Sequence, residues 1–283
     1  MPTDVLLELR KTLTYLFFPA PCLACGGIDR DLERPLGLCL RCRGRLVKVR
    51  DPCCTTCARP LAAPPASVPS GYRCGRCRLR RPKIERLVAH WVYQEPLDRV
   101  VLGLKFRRLR FLGEQLGAAL AERLGRDPPP VEAVVPVPLH WRRQLERGYN
   151  QADEIAGALA AALERPRITA LRRRRSTRPQ MDLPRERRDA NLRGAFSCRA
   201  PKRIAGRAIL LVDDVLTTGA TLDQAARCLR AAGSGAIFAA VVARTPEPGE
   251  ARPRVVRDER DRAKRQDGSQ GDFDPVQRRS YTR

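Results

Sequence analysis

The chain has 283 residues and is short of several features. No apolar run approaches the ~20 residues that a bilayer-spanning helix requires, so no membrane span is expected. The run LTYLFF, Leu13 to Phe18, follows Arg10 and Lys11 like a weak signal peptide but meets Pro19, Pro21 and Cys22 at once. We read 1–20 as a short amphipathic helix and expect a cytoplasmic protein. There is no G-x-G-x-x-G turn, and the one hydroxyl-rich loop lacks the Lys of a Walker sequence. Neither a dinucleotide fingerprint nor a P-loop is therefore in play. Histidine is limited to His90 and His140, and neither stands at ligand spacing to a cysteine pair. Aromatics are only 5% of the chain, too few to mark out a pocket that would choose an acceptor. Acidic residues are also scarce: 31 Asp plus Glu face 55 Lys plus Arg, a net charge of +24. Such a field attracts polyanions such as nucleic acid or phosphorylated ligands. The arginine bias of a high-GC genome produces the same excess.

Cysteine is concentrated instead. Nine of 11 cysteines fall between Cys22 and Cys77, eight of them in the pairs Cys22/Cys25, Cys39/Cys42, Cys54/Cys57 and Cys74/Cys77. Residues 26–38 separate the first two pairs and 58–73 the last two, close to the spacing of four-thiolate zinc ribbons. A two-residue gap lets both sulfurs reach one tetrahedral ion, and Gly26 and Gly75 offer backbone freedom at the knuckles. Nothing points to an oxidising compartment, so metal is favoured over disulfides. Two closed, structural zinc ions are expected, with Cys53 as a spare thiol that leaves the register of the second site open by one residue. The Pro-rich stretch 61–71 reads as a loop inside the second ribbon.

The stretch AILLVDDVLTTGAT, Ala208 to Thr221, organises the rest. Ile209 to Val212 is a continuous apolar run, the mark of a strand covered on both faces. Asp213 and Asp214 close it, and Thr217, Thr218, Gly219, Ala220 and Thr221 lead into a helix with Leu222, Ala225, Ala226 and Leu229 at helical spacing. Gly233 stops that helix. A loop of small and hydroxyl residues feeding a helix N-terminus suits a phosphate. Two carboxylates just before it can accept from vicinal hydroxyls or hold a hard cation such as Mg²⁺. A sugar phosphate satisfies both.

Elsewhere we expect a strand at 87–93, helical periodicity over 97–124 with a break near Arg107 to Arg110, and an end at Pro128 to Pro130. Lys105, Arg107, Arg108 and Arg110 read as a solvated face. Val131 to Pro138 reads as the first strand of the sheet, and Asn150 or Gln151 caps a helix reaching Leu163. Further strands are expected at 168–171, near 195–198, and at 236–243. Arginines 172–175, 178, 185, 187 and 188 have three readings: neutralising a leaving pyrophosphate, gripping a nucleic-acid backbone, or a solvated linker.

LLVDDVLTTGAT resembles the 5-phosphoribosyl-1-pyrophosphate (PRPP) motif of type I phosphoribosyltransferases. RGYNQ (Arg147 to Gln151) and ERRDANLRGAF (Glu186 to Phe196) narrow the resemblance to the ComF family, which joins zinc ribbons to such a domain and is associated with natural competence. The resemblance implies an α/β fold with a parallel sheet flanked by helices, preceded by a small double zinc ribbon. It implies that Asp213 and Asp214 bind the ribose hydroxyls, Thr217 to Thr221 wrap the 5′-phosphate, and Val137, Pro138, Leu139, His140 and Arg142 form the pyrophosphate loop, with Mg²⁺ accompanying PRPP. The expected domains are the helix of 1–20, the ribbons at 21–80, the phosphoribosyltransferase-like domain at 85–246 and a disordered charged tail at 247–283. The expected activity is phosphoribosyl transfer to an unnamed acceptor, linked to DNA uptake or nucleotide metabolism. The rival is a non-catalytic module that binds single-stranded DNA or a DNA-uptake helicase and keeps a vestigial PRPP pocket.

Overall fold

The structure is a computed structural model that describes residues 20–28, 34–125, 128–174, 194–247 and 250. The expected helix of 1–20, most of the arginine-rich segment after residue 174 and nearly all of the charged tail lie outside these residues.

A four-stranded parallel sheet forms the centre. Its strands are β1 (Arg86–Val92), β2 (Ala133–Pro136), β5 (Ile209–Leu216) and β6 (Ile237–Arg244), in the order β1-β6-β5-β2. A small antiparallel hairpin, β3 (Leu171–Arg173) with β4 (Phe196–Cys198), stands apart. The described helices are α1 (Leu40–Arg43), α2 (Gly75–Arg80), α3 (Leu97–Phe106), α4 (Phe111–Leu124), α5 (Trp141–Arg147), α6 (Gln151–Ala162), α7 (Pro201–Ile204) and α8 (Ala220–Ala231).

The apolar pattern explains the layers. Ile209, Leu210, Leu211 and Val212 are all fully buried because helices cover both faces of β5. Leu210 and Val212 face the core shared with α3, α4 and α6, whereas Ile209 and Leu211 face the one shared with α8. Helices α4 and α6 approach closely at Gly117, where an added Cβ would lie 2.5 Å from the carbonyl oxygen of Ile155. The break between α3 and α4 falls where the charged run predicts it, and Asn150 caps α6 by accepting from the Ala152 N–H at 3.3 Å.

Three expectations need correction. First, Val131 to Pro138 does not begin the sheet: β1 precedes it in sequence and pairs in parallel with β6 at the opposite edge. Secondly, the strand expected at 168–171 divides. Ile168 N–H donates to Val134 O at 2.8 Å, alongside β2, and the chain then turns into the hairpin from Leu171. Thirdly, the expected boundary between 21–80 and 85–246 does not separate two cores, and only Cys54, Cys74 and Cys77 of the second ribbon, with Cys57 and Tyr72, cluster by themselves. Cys22, Leu36, Leu38, Cys39 and Cys42 pack into the core with Leu104, Leu112 and Leu116, and Val49 and Ala58 join the core on the other face.

The link between the ribbons also closes the sheet. Val49 N–H donates to His90 O at 2.9 Å and Val92 N–H to Val47 O at 2.8 Å, so segment 47–49 pairs with the outer edge of β1. An exposed edge strand invites intermolecular pairing, and this segment removes that hazard. Among the described residues no helix is long and apolar enough to cross a membrane.

Candidate functional site

Strand β5 carries Asp213 and Asp214 to the carboxyl edge of the sheet and continues through them to Leu216, so the pair lies within the strand rather than closing it. Asp213 Oδ1 accepts from the Asp214 N–H at 2.9 Å, and Asp214 Oδ1 from the Val215 N–H at 2.6 Å. The loop after β5 enters α8 at Gly219, whose φ of +82° favours glycine. Thr218 is buried, and its Oγ1 accepts from the Ala220 N–H at 3.4 Å. The first turn of α8 thus begins directly beside the loop of Thr217 to Thr221.

The loop expected to bind pyrophosphate leaves β2 at the same edge. Val137 N–H donates to Val212 O at 2.9 Å, one residue before Asp213, and Asn150 Nδ2 donates to Val137 O at 3.0 Å. Pro138 and Leu139 are half-buried; His140 is buried, caps α5, and accepts on Nδ1 from the Arg142 N–H at 3.4 Å. Desolvation, then Arg173, Arg142 and Arg143, lower the His140 pKa. Arg142 is exposed and lies 5.3 Å over the Trp141 ring. Parallel pairing of β2 with β5 therefore gathers both loops at one edge, where ligands of such sheets collect.

The sequence reading missed Lys105. It is not on a solvated face: its Nζ lies 2.8 Å from Asp214 Oδ2, and both side chains are largely buried. A signal existed, since Lys105 stands four residues after buried Val101, at the rim of the apolar stripe of α3. Burial alone lowers the lysine pKa, but Asp214 overrides it and raises the value. Asp213 behaves oppositely: burial, then the charge of Asp214, push its carboxyl up to about 7, against opposing pulls from Lys105 and Arg173. The RGYNQ stretch braces this edge. Arg147 donates to Gln151 Oε1 at 2.9 Å, and the Tyr149 hydroxyl donates to Leu104 O, one residue from Lys105.

The cysteines form two groups, Cys22/Cys25/Cys39/Cys42 and Cys54/Cys57/Cys74/Cys77, and within each the four sulfurs lie within 4.8 Å of one another. Cys25 and Cys39 Sγ are 3.8 Å apart, as are Cys57 and Cys74 Sγ. A tetrahedron of ~2.3 Å Zn–S bonds has S···S edges of about 3.8 Å, whereas a disulfide needs about 2.05 Å. Backbone N–H groups point at the sulfurs: Cys39 to Cys22 at 3.4 Å and Cys74 to Cys54 at 3.2 Å. Hydrogen bonds from the Cys57 and Cys77 thiols lower the Cys54 pKa, which favours the thiolate, the form a metal binds. The donor set fits two structural zinc ions. Cys53 is outside the second group; its thiol donates to Asp51 Oδ1 at 3.4 Å, which settles the register. Gly26 has the positive φ expected of a knuckle, +72°, but Gly75 instead opens α2.

Fold and sites together define a class: a double zinc ribbon joined to a phosphoribosyltransferase-type domain. Residues 13–78 match the double zinc ribbon domain model and residues 148–264 the phosphoribosyl transferase domain model. The chain is 32% identical to competence protein F of Haemophilus influenzae over 210 residues, 69% of this chain and 91% of that protein. It is 32% identical to DNA utilization protein YhgH of Escherichia coli K12 over 225 residues, 74% of this chain and 97% of that one. Competence protein ComFC of Bacillus subtilis is 28% identical over 206 residues, 70% of this chain and 80% of that protein. The chain belongs to the family of these competence and DNA utilization proteins.

Proposed function

We propose that this protein binds PRPP with Mg²⁺ at the carboxyl edge of β5 and transfers its phosphoribosyl group to an acceptor, in the service of DNA use. The observation that carries this reading is the Asp213/Asp214 pair set between two loops, with Lys105 on Asp214 at 2.8 Å. In this reading the carboxylates accept from the two ribose hydroxyls, and the loop of Thr217 to Thr221 with the N-terminus of α8 receives the 5′-phosphate. Val137 to Arg142 face the pyrophosphate. Asp213 or Asp214 would hold a magnesium ion brought with PRPP, and the ion would supply charge neutralisation on the leaving group.

The chemistry is displacement at C1. The acceptor's lone pair forms the new bond to C1 as the C1–O bond breaks, pyrophosphate leaves with the electron pair, and the acceptor's proton passes to solvent. The ribose carries positive charge midway, and the two carboxylates beside it stabilise that charge while holding the ring in line. Lys105 holds Asp214 in place through their ion pair at 2.8 Å. Isothermal titration with PRPP and Mg²⁺, followed by a pyrophosphate-release screen over bases and nucleic-acid ends, tests the reading. Binding without any release would favour the rival, a binding module with a vestigial pocket.

A further inference from the structure

A cavity of about 480 Å³ opens on the loop of Thr217 to Ala220, and neither Asp213, Asp214, Lys105 nor any residue of 137–142 lines it. Its walls come from both halves of the chain. Arg76 and Arg80 of α2, beside the zinc ligand Cys77, face Arg227 of α8 and Arg244 at the end of β6. The apolar lining is Ile84, Leu87, Leu216 and Leu222. Carboxylates answer part of the charge: Asp223 pairs with Arg227 at 2.8 Å, Glu247 with Arg76, and Glu250 with Arg244 at 2.6 Å.

Two observations point to a ligand. Four arginines, Arg76, Arg80, Arg227 and Arg244, converge on the cavity, and Arg244 is only 4% exposed, its guanidinium fixed by Glu250 at 2.6 and 2.9 Å. The loop lining this cavity also opens α8, a helix of 12 residues, so the cavity meets a positive dipole end as well. Arginines above an apolar floor suit a phosphate joined to a heteroaromatic ring. The volume falls within the range of about 300–1,000 Å³ of small-molecule sites.

Resting on the reading given above, the loop is shared: a phosphate on it has the ribose-binding carboxylates on one flank and this cavity on the other. A terminal phosphate monoester would use the first flank alone. We propose that the cavity takes a group attached to that phosphate, so that the site accepts a ribose 5-phosphate extended through a second phosphate to a nucleoside, the class of nucleoside diphosphate riboses. The second phosphate meets Arg76 and Arg80; the base lies on Ile84, Leu87 and Leu222.

The test is isothermal titration of the full-length, zinc-loaded protein with Mg²⁺, using ADP-ribose, ribose 5-phosphate, AMP and PRPP as separate probes. ADP-ribose should bind at least about tenfold more tightly than ribose 5-phosphate or AMP, a gain of about 1.4 kcal/mol. Gln224→Trp, which fills the cavity from α8, should remove that advantage and leave PRPP affinity within about twofold. Arg80→Glu, at an exposed side chain of α2, should weaken ADP-ribose and leave PRPP affinity unchanged. Equal binding of ADP-ribose and ribose 5-phosphate, or an advantage that survives both substitutions, overturns the proposal. AMP as tight as ADP-ribose overturns it too, because the cavity would then act alone. Failure of PRPP to bind, or to compete with ADP-ribose, sinks the underlying phosphoribosyl reading instead, and the two failures are told apart by the probe.

Discussion

Lys105 Nζ and Asp214 Oδ2 stand 2.8 Å apart, an ion pair that joins α3 to the end of β5. Two adjacent carboxylates cannot both ionise cheaply in a partly buried place. The lysine offsets one of them. In Lys105→Met, Asp213 and Asp214 face each other without that cation, so the pH at which PRPP binding is half-maximal should move upward. At pH 7 the affinity should fall about tenfold or more. An unchanged pH profile would show that the pair has no part in ligand binding.

The Asp213 carboxyl, raised to about 7 by burial and by Asp214, gives a second expectation. Its folded pKa lies above the unfolded value of about 3.9, so the native state holds the proton more tightly and this group's contribution to stability falls as pH rises from about 4 to about 7. Asp213→Asn removes the cost of ionisation. The variant should melt higher than wild type at pH 8, by about 2–4 °C for each kcal/mol recovered, and the difference should vanish near pH 4. Thermal melts at the two pH values check this; a variant that melts lower at pH 8 contradicts it.

Zinc should matter to the whole described fold. Cys22, Cys39 and Cys42 share a core with Leu104, Leu112 and Leu116, and Leu36 N–H donates to Gln115 Oε1 of α4 at 2.6 Å. Cys39→Ser should therefore lower the melting temperature of α3 and α4 along with that of the ribbon, rather than unfold the ribbon alone. Elemental analysis of reduced protein should find two zinc ions per chain. One or none, or a sheet domain whose melting ignores Cys39→Ser, would count against this arrangement.

The net charge of +24 leads to a fourth expectation, weak binding of single-stranded DNA with little sequence preference. Binding through phosphates releases counterions, so log affinity should fall linearly with log salt, with a slope of roughly −0.7 for each phosphate contacted. Anisotropy titrations from low to high salt measure the slope. A flat response excludes a polyanion surface.

Much of this was legible in the chain because local chemistry carries it. The run Ile209 to Val212 has no polar residue and must be buried on both faces, and the aspartates and TTGAT that follow sit where any α/β sheet places its ligand edge. Paired cysteines state their partners through spacing. What sequence did not show depends on contacts between distant segments. Lys105 lies in a basic run, and only the packing of α3 against β5 turns it inward. Residues 47–49 have no strand pattern of their own and pair because β1 has an open edge. The cavity between α2 and α8 belongs to neither segment alone, and Glu247 and Glu250, expected within a disordered tail, are held there by Arg59, Arg76 and Arg244.

The most direct test of the central claim is a thermal shift with PRPP and Mg²⁺ on wild type and on the double variant Asp213→Asn, Asp214→Asn. Each charged hydrogen bond to a ribose hydroxyl is worth roughly 1.5 to 3 kcal/mol, so the variant should lose more than tenfold in affinity. Gly219→Val should fail in the same way, because a φ of +82° strains a β-branched residue and distorts the phosphate loop. The account predicts a clear upward shift in wild type and none in the double variant, which remains folded without ligand. Equal shifts in the two proteins would place the ligand elsewhere and contradict it.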